Sequence, residues 1–308
     1  MIPTEINFAS TKQYRELKED VTFWSPMIQM ALNKGKDTAV IAGFNSTYPV
    51  FLVGDLVIKF FGYRENWEES FINECLAHEC LKLNDQICAP KILNIGQLYE
   101  NITMPWKYIV STRIKGHSWL QTDLTYNQKK LIVAELGKQL GYIHSLPLNY
   151  NLKNDKEWHK LDLKSAARKS SLPGHLIDQI DDFIGLLDTF DKVFVNSDIV
   201  PMHVFIENGH LSGIIDWGDS VVADRHYEVA KLCLSLFPCD KVLLKILINA
   251  ANWPVTDNFQ VQTLGLALYR QAVGLTQHHS FDVFYQLPID MKHVKTLEEL
   301  AHVLFDLD

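Results

Sequence analysis

Two carboxylates and an imidazole occur close together in the stretch "FVNSDIVPMHVFIENGHLSGIIDWGDS", residues 194–220. Asp198 precedes His203 by five residues, and Asp216 follows the second of two apolar runs. A carboxylate can accept the proton of a reacting hydroxyl group, and an imidazole and a carboxylate can share one divalent cation. The stretch therefore favours a site at which a general base and a metal ion act together.

The residues between His203 and Asp216 predict a β-hairpin. Asn208-Gly209 favours a type I′ turn, and apolar and polar residues alternate on both sides of it. Counting back from this turn, the predicted cross-strand partners are Glu207 with His210, Phe205 with Ser212, and His203 with Ile214. The face predicted to enter the core carries the non-polar residues Val204, Ile206, Leu211, Gly213 and Ile215.

The other face of this hairpin brings the candidate metal ligands together. Asp216 is the diagonal neighbour of His203, at a backbone distance of roughly 7–8 Å, so both side chains can hold one ion about 2 Å from each. Pro201 restricts the loop that carries Asp198, which can reach the same place. The alternative is an ordinary hairpin whose polar face meets water. The metal-site interpretation is favoured because the polar residues stand at the strand ends furthest from the turn.

Composition limits the partners of this protein. The chain has 308 residues, 47% of them hydrophobic, and 37 acidic against 29 basic side chains give a formal charge of −8. It contains no long block of lysine and arginine, so we expect no nucleic-acid partner. Its five cysteines lack CxxC spacing and no apolar run is long enough for a membrane span, which predicts a cytoplasmic protein that does not enter a membrane.

The first elements predicted along the chain are strands. Residues 39–61, "AVIAGFNSTYPVFLVGDLVIKFF", are rich in β-branched residues, and Gly54-Asp55 suits a hairpin turn. A helix with an apolar stripe at Phe71 and Cys75 follows, and "WKYIVSTRI" is typical of a buried strand. The chain therefore begins, on this prediction, with a small sheet.

Helices dominate the rest of the prediction. They are expected over residues 127–146, 174–190, 225–236 and 258–277, and the hairpin supplies the only strands expected in that half. These patterns predict an α+β protein with a β-rich part over residues 1–113 and a helical part over residues 114–308. A ligand cleft is expected between the two parts.

The segment "NSDIVPMHVFIENGHLSGIIDWGDSVVADRHYEVAKL" resembles the catalytic segment of the antibiotic phosphotransferases, the aminoglycoside and macrolide kinases. In that family HGD is followed after four residues by Asn or His, and then by a hairpin that ends in IDWG or IDFG. The resemblance implies a bilobal, protein-kinase-like fold and transfer of the γ-phosphate of ATP or GTP to a hydroxyl group. It implies that Asp198 is the catalytic base and that His203 and Asp216 bind Mg²⁺, or Mn²⁺.

The resemblance also implies which residues bind the nucleotide. "FLVGDLVIKFF" is similar to the strand that carries the phosphate-binding lysine, here Lys59, and Glu74 falls where a helix glutamate pairs with that lysine. "GFNSTYPVF" takes the place of the loop that covers the nucleotide. Ser46 and Thr47 in this loop would donate to phosphate.

The remaining nucleotide contacts are implied further along the chain. "YIVSTRIKG" resembles the hinge strand, whose backbone around Ser111 and Arg113 would pair with the nucleobase. Phe205 and Ile215 are assigned to the same site. Asp224 and Glu228 fall near a further family motif, but a carboxylate that stabilises the first turn of a helix is the interpretation we favour for Asp224.

Two departures from the family pattern leave alternatives open. Asn196 and Ser197 replace the usual His-Gly, and His203 is an imidazole where Mg²⁺ prefers oxygen and Mn²⁺ accepts nitrogen. A catalytically weak pseudokinase that binds a nucleotide and a partner therefore remains a rival, and a kinase of choline-like or sugar metabolites is equally open. A protein kinase is disfavoured because the HRD and APE motifs are missing. We expect a monomer or weak dimer that acts on a small molecule with a hydroxyl group.

Two sets of side chains in the helical half distinguish between acceptors. A polycationic aminoglycoside needs carboxylates, and the candidates are Asp181, Asp182, Asp188 and Asp191. A macrolide needs an apolar groove, and the candidates are Tyr227, Trp253, Tyr269 and Phe281. The sequence does not choose between them.

Overall fold

The N-terminal part of the fold is built on a five-stranded antiparallel sheet. The computed structural model of the chain describes residues 6–33, 39–43, 46–100, 104–277 and 280–307. The strands lie in the order β1-β2-β3-β5-β4. Their bounds are β1 (Val40–Ala42), β2 (Val50–Val53), β3 (Leu56–Phe61), β4 (Ile92–Gln97) and β5 (Lys107–Thr112). Gly54 adopts a left-handed conformation (φ 60°) in the tight turn between β2 and β3. Helix α3 (Trp67–Leu81) packs against β3.

Two helices precede this sheet, so the expectation that the chain begins with strands is wrong. Helices α1 (Thr11–Leu17) and α2 (Val21–Leu32) each start at a side-chain cap, since Ser10 and Asp20 accept hydrogen bonds from backbone N–H groups of the first turn. Trp24 of α2 is fully buried and stacks on Phe60 of β3, with ring centroids 4.9 Å apart. Helix α2 thus covers one face of the sheet.

The C-terminal part is mainly helical. Its α-helices are α4 (Tyr126–His144), α5 (Leu163–Ala167), α6 (Gly174–Ile177), α7 (Ile180–Ile184), α8 (His226–Lys231), α9 (Lys241–Ala250), α10 (Phe259–Gln277) and α11 (Leu297–Phe305). A π-helical segment, Leu232–Leu236, continues α8, so the predicted helix over 225–236 is present with a change of pitch. The predicted helix over 174–190 is instead the two short helices α6 and α7.

This half also contains more strands than the hairpin, which corrects the sequence prediction. The hairpin strands β9 (Val204–Glu207) and β10 (His210–Ile214) pair with β6 (His117–Ser118). A second sheet has the order β7-β11-β8, with the bounds β7 (Lys153–Asn154), β8 (Lys192–Val195) and β11 (Val221–Asp224). The short runs "KVFV" and "VVAD" are buried on both faces, and such runs show no alternation that would distinguish them from a buried helix.

The hairpin has the predicted turn but a different register beyond it. Asn208 and Gly209 both have positive φ values, 53° and 82°, as a type I′ turn requires. A β-bulge at Ser212 shifts the pairing, so Phe205 lies opposite Gly213 and Val204 opposite Ile214. Ile214 is therefore fully buried in the core, and the predicted inward position of Ile215 is wrong.

The largest apolar core lies in the helical part and also includes Ala77, Cys80 and Leu81 of α3. The helical part has one large core in which α4 packs on α9 and α10 packs on α11. The N-terminal core is strongly aromatic, and its fully buried rings are Trp24, Phe51, Phe60 and Trp106. None of the helices in the described ranges has both the length and the apolarity needed to cross a bilayer.

Removal of the Trp24 side chain tests how far α2 stabilises the N-terminal sheet. Trp24→Ala is expected to lower the free energy of unfolding by about 3–5 kcal/mol, because it deletes a fully buried ring and leaves a cavity. Urea unfolding measures the change. Met30→Ala, a truncation of an exposed side chain on the same helix, should stay within about 1 kcal/mol of the unsubstituted protein. Equal effects of the two substitutions would contradict this role of Trp24.

Candidate active site

Asp198 lies in a loop between β8 and β9 that is held by its own side chains. Asn196 accepts a hydrogen bond from the Asp198 N–H (2.9 Å) and donates one to the backbone carbonyl of Asp216 (3.1 Å). Ser197 has a left-handed backbone (φ 68°), and its hydroxyl donates to the carbonyl of Asp219 (2.6 Å). These bonds fix Asp198 close to the strand end that carries Asp216.

His203 and Asp216 point to a common place, as the sequence predicts. The Nδ1 atom of His203 lies 2.7 Å from the carbonyl oxygen of Asp198, and this pairing requires that Nδ1 carry the proton. Nε2 is then the ring nitrogen that can act as a ligand, and it lies 3.6 Å from Oδ2 of Asp216. The Asp198 carboxylate is adjacent, with Oδ2 at 3.4 Å from Nδ1 of His203.

Lys59 and Glu74 extend this group across the cleft. The Lys59 ammonium on β3 lies 2.7 Å from Oε2 of Glu74 on α3 and 3.0 Å from Oδ1 of Asp216. Burial alone would lower the pKa of Lys59, but the charges of Asp216 and Glu74 raise it well above its usual value. Burial alone would raise the pKa of Asp216, yet the adjacent Lys59 ammonium holds it at about 2. Both groups are therefore ionised at neutral pH.

The two oxygens of Asp216 have different surroundings. Oδ1 contacts Lys59, whereas Oδ2 faces Nε2 of His203. A divalent cation between Oδ2 and Nε2 fits this division, since Mg²⁺ in nucleotide sites takes one or two protein ligands and completes its shell with phosphate and water oxygens. Among the described residues no cluster of three or more His, Cys, Asp or Glu side chains has the geometry of a metal site. The geometry thus suits a site with two protein ligands.

The loop proposed to cover the nucleotide lies at the cleft, but its hydroxyl groups differ in their availability. The Ser46 hydroxyl donates to the carbonyl of Tyr48 within its own turn, and Tyr14 of α1 donates to the carbonyl of Thr47 (2.9 Å). Ser46 and Thr47 both line the cleft. Residues 44 and 45 of this loop lie outside the described residues.

The predicted hinge and hairpin contacts also line the cleft. Ser111 lies in β5 opposite Val57, and the Arg113 N–H is already engaged by the carbonyl of Asp55 (2.8 Å). Phe205 and Ile215 both face the cleft, and Ile215 does so because the β-bulge turns Ile214 into the core. The sequence analysis placed Ile215 both on the core face of the hairpin and at the nucleotide site. The structure places it at the cleft.

All the candidate residues meet in one cleft between the two parts, with a volume of about 2170 Å³. Lys59, Glu74 and Ser111 line it from the N-terminal part, and Asp198 and Asp216 from the helical part. Its floor beside Asp198 is completed by aromatic side chains, Trp158, Tyr227 and Phe281. The cleft therefore has room for a nucleotide and a second small molecule.

Three charged residues lie beneath the Asp198 loop, and sequence reasoning missed two of them, Lys231 and Arg270. Glu228 of α8, which the sequence placed near the family motif, is fully buried and accepts the Asn196 N–H (2.8 Å). Lys231, also on α8, places Nζ 3.2 Å from Oδ1 of Asp198. Arg270 of α10 donates to the carbonyl of Ser197. Of these three residues, only Glu228 could be found from the sequence, because it falls near the further family motif.

Asp224 has the predicted structural role at the first turn of a helix, α8, and makes further contacts. Its Oδ1 accepts from the N–H of His226 (2.8 Å), and its Oδ2 accepts from the N–H of Asp191 (2.9 Å) and from Gln262 (3.1 Å). Asp224 thus links α8 to the start of β8 and to α10.

Solved structures with similar folds are kinases of antibiotics. The GDP complex of aminoglycoside 2′-phosphotransferase-IIIa has a TM-score of 0.63 at 14% identity, covering 81% of this chain and 88% of that one. The apoenzyme of macrolide 2′-phosphotransferase MphH from Brachybacterium faecium has a TM-score of 0.60 at 12% identity, covering 91% and 97%. ADP-bound APH(2″)-Ib has a TM-score of 0.57 at 18% identity, covering 90% and 96%. At these identities the likeness shows the α+β, kinase-like fold.

Comparisons by sequence give a curated relative and a family. Lysine-specific demethylase JMJ21 of Arabidopsis thaliana is 24% identical over 217 residues, covering 53% of this chain and 23% of that protein. The chain thus spans less than a quarter of the length of that relative. The model of the APH phosphotransferase enzyme family matches residues 54–257. This match spans most of the cleft and both of its sides, and the chain belongs to the APH phosphotransferase enzyme family.

Proposed function

We propose that this protein transfers the γ-phosphate of ATP or GTP to a hydroxyl group of a small molecule. The observation that carries the proposal is the continuous set of contacts from Glu74 through Lys59, Asp216 and His203 to Asp198. Phosphoryl transfer needs a cation for the phosphates, a metal site and a carboxylate for the incoming hydroxyl. This one row of side chains supplies all three.

The N-terminal side of the cleft is proposed to hold the nucleotide. Lys59 is the cation for the phosphates, and Glu74 keeps its ammonium in place. The loop with Ser46 and Thr47 covers the phosphates, the chain around Ser111 and Arg113 contacts the base, and Phe205 and Ile215 form the apolar floor. Similar structures contain GDP or ADP, in agreement with a nucleotide co-substrate.

His203 and Asp216 are the proposed metal ligands, through Nε2 and Oδ2. Mg²⁺ or Mn²⁺ at this place neutralises phosphate charge when bound. The Nδ1 proton of His203, donated to the Asp198 carbonyl, keeps the ring in the tautomer that a metal ligand needs. The imidazole is therefore held in the tautomer and orientation of a metal ligand before the ion binds.

Asp198 is the proposed base, and the residues that replace the usual His-Gly do not disturb its loop. Asn196 makes two hydrogen bonds that join Asp198 to Asp216, and Ser197 adopts the left-handed conformation that glycine adopts more easily. These contacts favour an active enzyme over the pseudokinase alternative. A cytoplasmic location agrees with the five unpaired cysteines.

The first prediction for this function concerns Asp198. Asp198→Asn should lower turnover by about a hundredfold or more, since it removes the proton acceptor, while the affinity for the Mg²⁺ complex of the nucleotide changes less than about twofold. Nucleotide consumption is measured with ATP and GTP against a panel of antibiotics and cellular alcohols. Asp257→Asn, at an exposed carboxylate, is the matched control. Unchanged turnover of Asp198→Asn would remove the basis for the assignment.

The acceptor side of the cleft favours an apolar compound over a polycation. The carboxylates considered for an aminoglycoside lie outside the cleft lining, and Asp181 and Asp191 are paired with Lys164 (2.7 Å) and Arg225 (2.6 Å). Two of the aromatic candidates, Tyr227 and Phe281, do line the cleft.

The other two aromatic candidates support the cleft from behind. Tyr269 stacks on Trp158 with ring centroids 5.6 Å apart, and Trp253 packs against His226. Two further carboxylates at the cleft, Glu157 and Asp219, already have lysine partners in Lys160 and Lys153. The wall around Tyr227 and Phe281 therefore offers aromatic surface, and the nearby carboxylates of Glu157 and Asp219 are already paired.

This lining predicts a preference that a kinetic panel can measure. A hydroxyl compound with an apolar ring system, such as a macrolide, should have a kcat/KM at least about tenfold above that of a polycationic aminoglycoside, a difference of about 1.4 kcal/mol in the transition state. Repeating the panel at high salt serves as a control, because screening weakens recognition of a polycation and leaves apolar contacts intact. A faster, salt-sensitive reaction with the aminoglycoside would contradict the preference.

The stability of the folded protein depends on pH through Glu228, the carboxyl group that accepts from the Asp198 loop. Burial raises the pKa of this carboxyl from 4.5 to about 7, although the N–H groups of Asn196 and Ser197 oppose the shift. The folded protein therefore keeps this proton to higher pH than the unfolded chain. Its contribution to stability is complete below pH 4.5 and is lost as pH rises towards 7.

The variant Glu228→Gln should lack this contribution. From pH 4.5 to pH 8, the free energy of unfolding of the unsubstituted protein should fall by about 3 kcal/mol relative to that of the variant. Chemical unfolding at several pH values measures the difference. Glu298→Gln, at an exposed position of α11, should follow the unsubstituted protein throughout. Parallel curves for Glu228→Gln and the unsubstituted protein would refute the prediction.

A further inference from the structure

Lys231 is a nearly buried cation that none of the proposed catalytic steps uses. It is the last residue of α8, and only 11% of its side chain is exposed. It is not among the described residues that line the cleft. Its ammonium points instead at the back of the Asp198 loop.

The partner of Lys231 is the proposed base. Nζ of Lys231 lies 3.2 Å from Oδ1 of Asp198, and in the described part of the chain this is the carboxylate within ion-pair distance of it. A buried ammonium is costly unless it is paired, and burial does lower the pKa of Lys231. The Asp198 carboxylate compensates this burial, which explains how the lysine is tolerated in the helical core.

The two carboxylate oxygens of Asp198 are engaged from opposite ends. Oδ1 faces Lys231, with the Arg270 guanidinium at 3.9 Å, whereas Oδ2 faces Nδ1 of His203 at 3.4 Å. Rotation of the Asp198 carboxylate about its Cβ–Cγ bond would break the contacts of both oxygens. Arg270 also donates to the carbonyl of Ser197, the residue whose left-handed backbone precedes Asp198.

We propose that Lys231 is a positioning residue that holds the Asp198 carboxylate in one orientation for attack by the acceptor hydroxyl. The inference rests on the proposed function in one respect, the assignment of Asp198 as base. Misplacement of a reacting group by about 1 Å can reduce a rate by roughly a hundredfold. An ion pair that fixes the base is therefore expected to act on kcat and to leave nucleotide binding unchanged.

The test compares Lys231→Met with Lys231→Arg. Methionine keeps the length and removes the charge, but it leaves the Asp198 carboxylate without its partner, so the thermal midpoint should fall. Asp198 keeps 30% of its side chain exposed, which limits the fall and leaves the variant folded. We expect Lys231→Met to lower kcat for phosphate transfer from ATP or GTP by about ten- to a hundredfold, with the nucleotide KM within about twofold. Lys231→Arg should recover most of the loss. Lys245→Met, an exposed lysine on α9, is the control.

Crystal structures of the unsubstituted protein and of Lys231→Met separate this inference from the proposed function. The inference predicts that the Asp198 carboxylate leaves its contact with His203 in the variant, and this can be seen even if no acceptor is turned over. An unchanged kcat in Lys231→Met, or a reduced kcat with the carboxylate in place, would overturn it. If the unsubstituted protein has no turnover and the carboxylate still moves, only the proposed function fails.

Discussion

The ammonium of Lys59 lies between two carboxylates, 2.7 Å from Glu74 and 3.0 Å from Asp216, and the geometry of the cleft depends on this contact. It joins β3, α3 and the end of the β9–β10 hairpin, which are far apart in sequence. Without the ammonium the two carboxylates would face each other in a partly buried place, where like charges repel by several kcal/mol at an effective dielectric constant of about 20. Lys59 thus links the two parts at this point of the cleft and keeps Asp216 ionised.

A second contact between the two parts does not involve charge. Asn73, next to Glu74 on α3, donates to the carbonyls of Gly218 (2.8 Å) and Ser220 (2.9 Å) and accepts from the N–H of Lys153 (3.1 Å). Its side chain is buried, so all three bonds are protected from water. The segment after Asp216 is therefore fixed to the helix that carries the partner of Lys59, and the two ends of the ion-pair row cannot move independently.

The sequence predicted the parts of the site that follow from local rules. The Asn208-Gly209 turn has one favoured geometry. The alternation that predicted a common side for His203 and Asp216 is reversed beyond the bulge, and Asp216 faces His203 past the end of β10, where its own backbone is left-handed (φ 60°). The bulge at Ser212 depends on tertiary contacts instead. The Ser212 hydroxyl donates to the carbonyl of Lys115 (2.7 Å), and the Ile214 N–H donates to the carbonyl of Cys88 (2.8 Å). Neither partner can be inferred from the hairpin alone.

The same limit explains only some of the other differences. Helix α2 was missed although Asp20 caps it and its buried residues, Trp24, Met27, Ile28 and Ala31, have helical spacing. The charges beneath the catalytic loop were missed because Lys231 and Arg270 lie within otherwise apolar helical segments, where a lone cation is normally a solvated residue. Only the packing of α8 and α10 against the loop gives these cations carboxylate and carbonyl partners.

The central claim is that His203 and Asp216 hold one divalent cation beside Asp198. A crystal structure with Mn²⁺ and a non-hydrolysable ATP analogue tests it most directly, since anomalous scattering locates the metal without assumptions about its ligands. The account predicts one Mn²⁺ within roughly 2.0–2.3 Å of both Nε2 of His203 and a carboxylate oxygen of Asp216, and in contact with phosphate oxygens. A metal bound elsewhere, or a His203 ring turned away with its Nδ1 bond to Asp198 broken, would contradict the account.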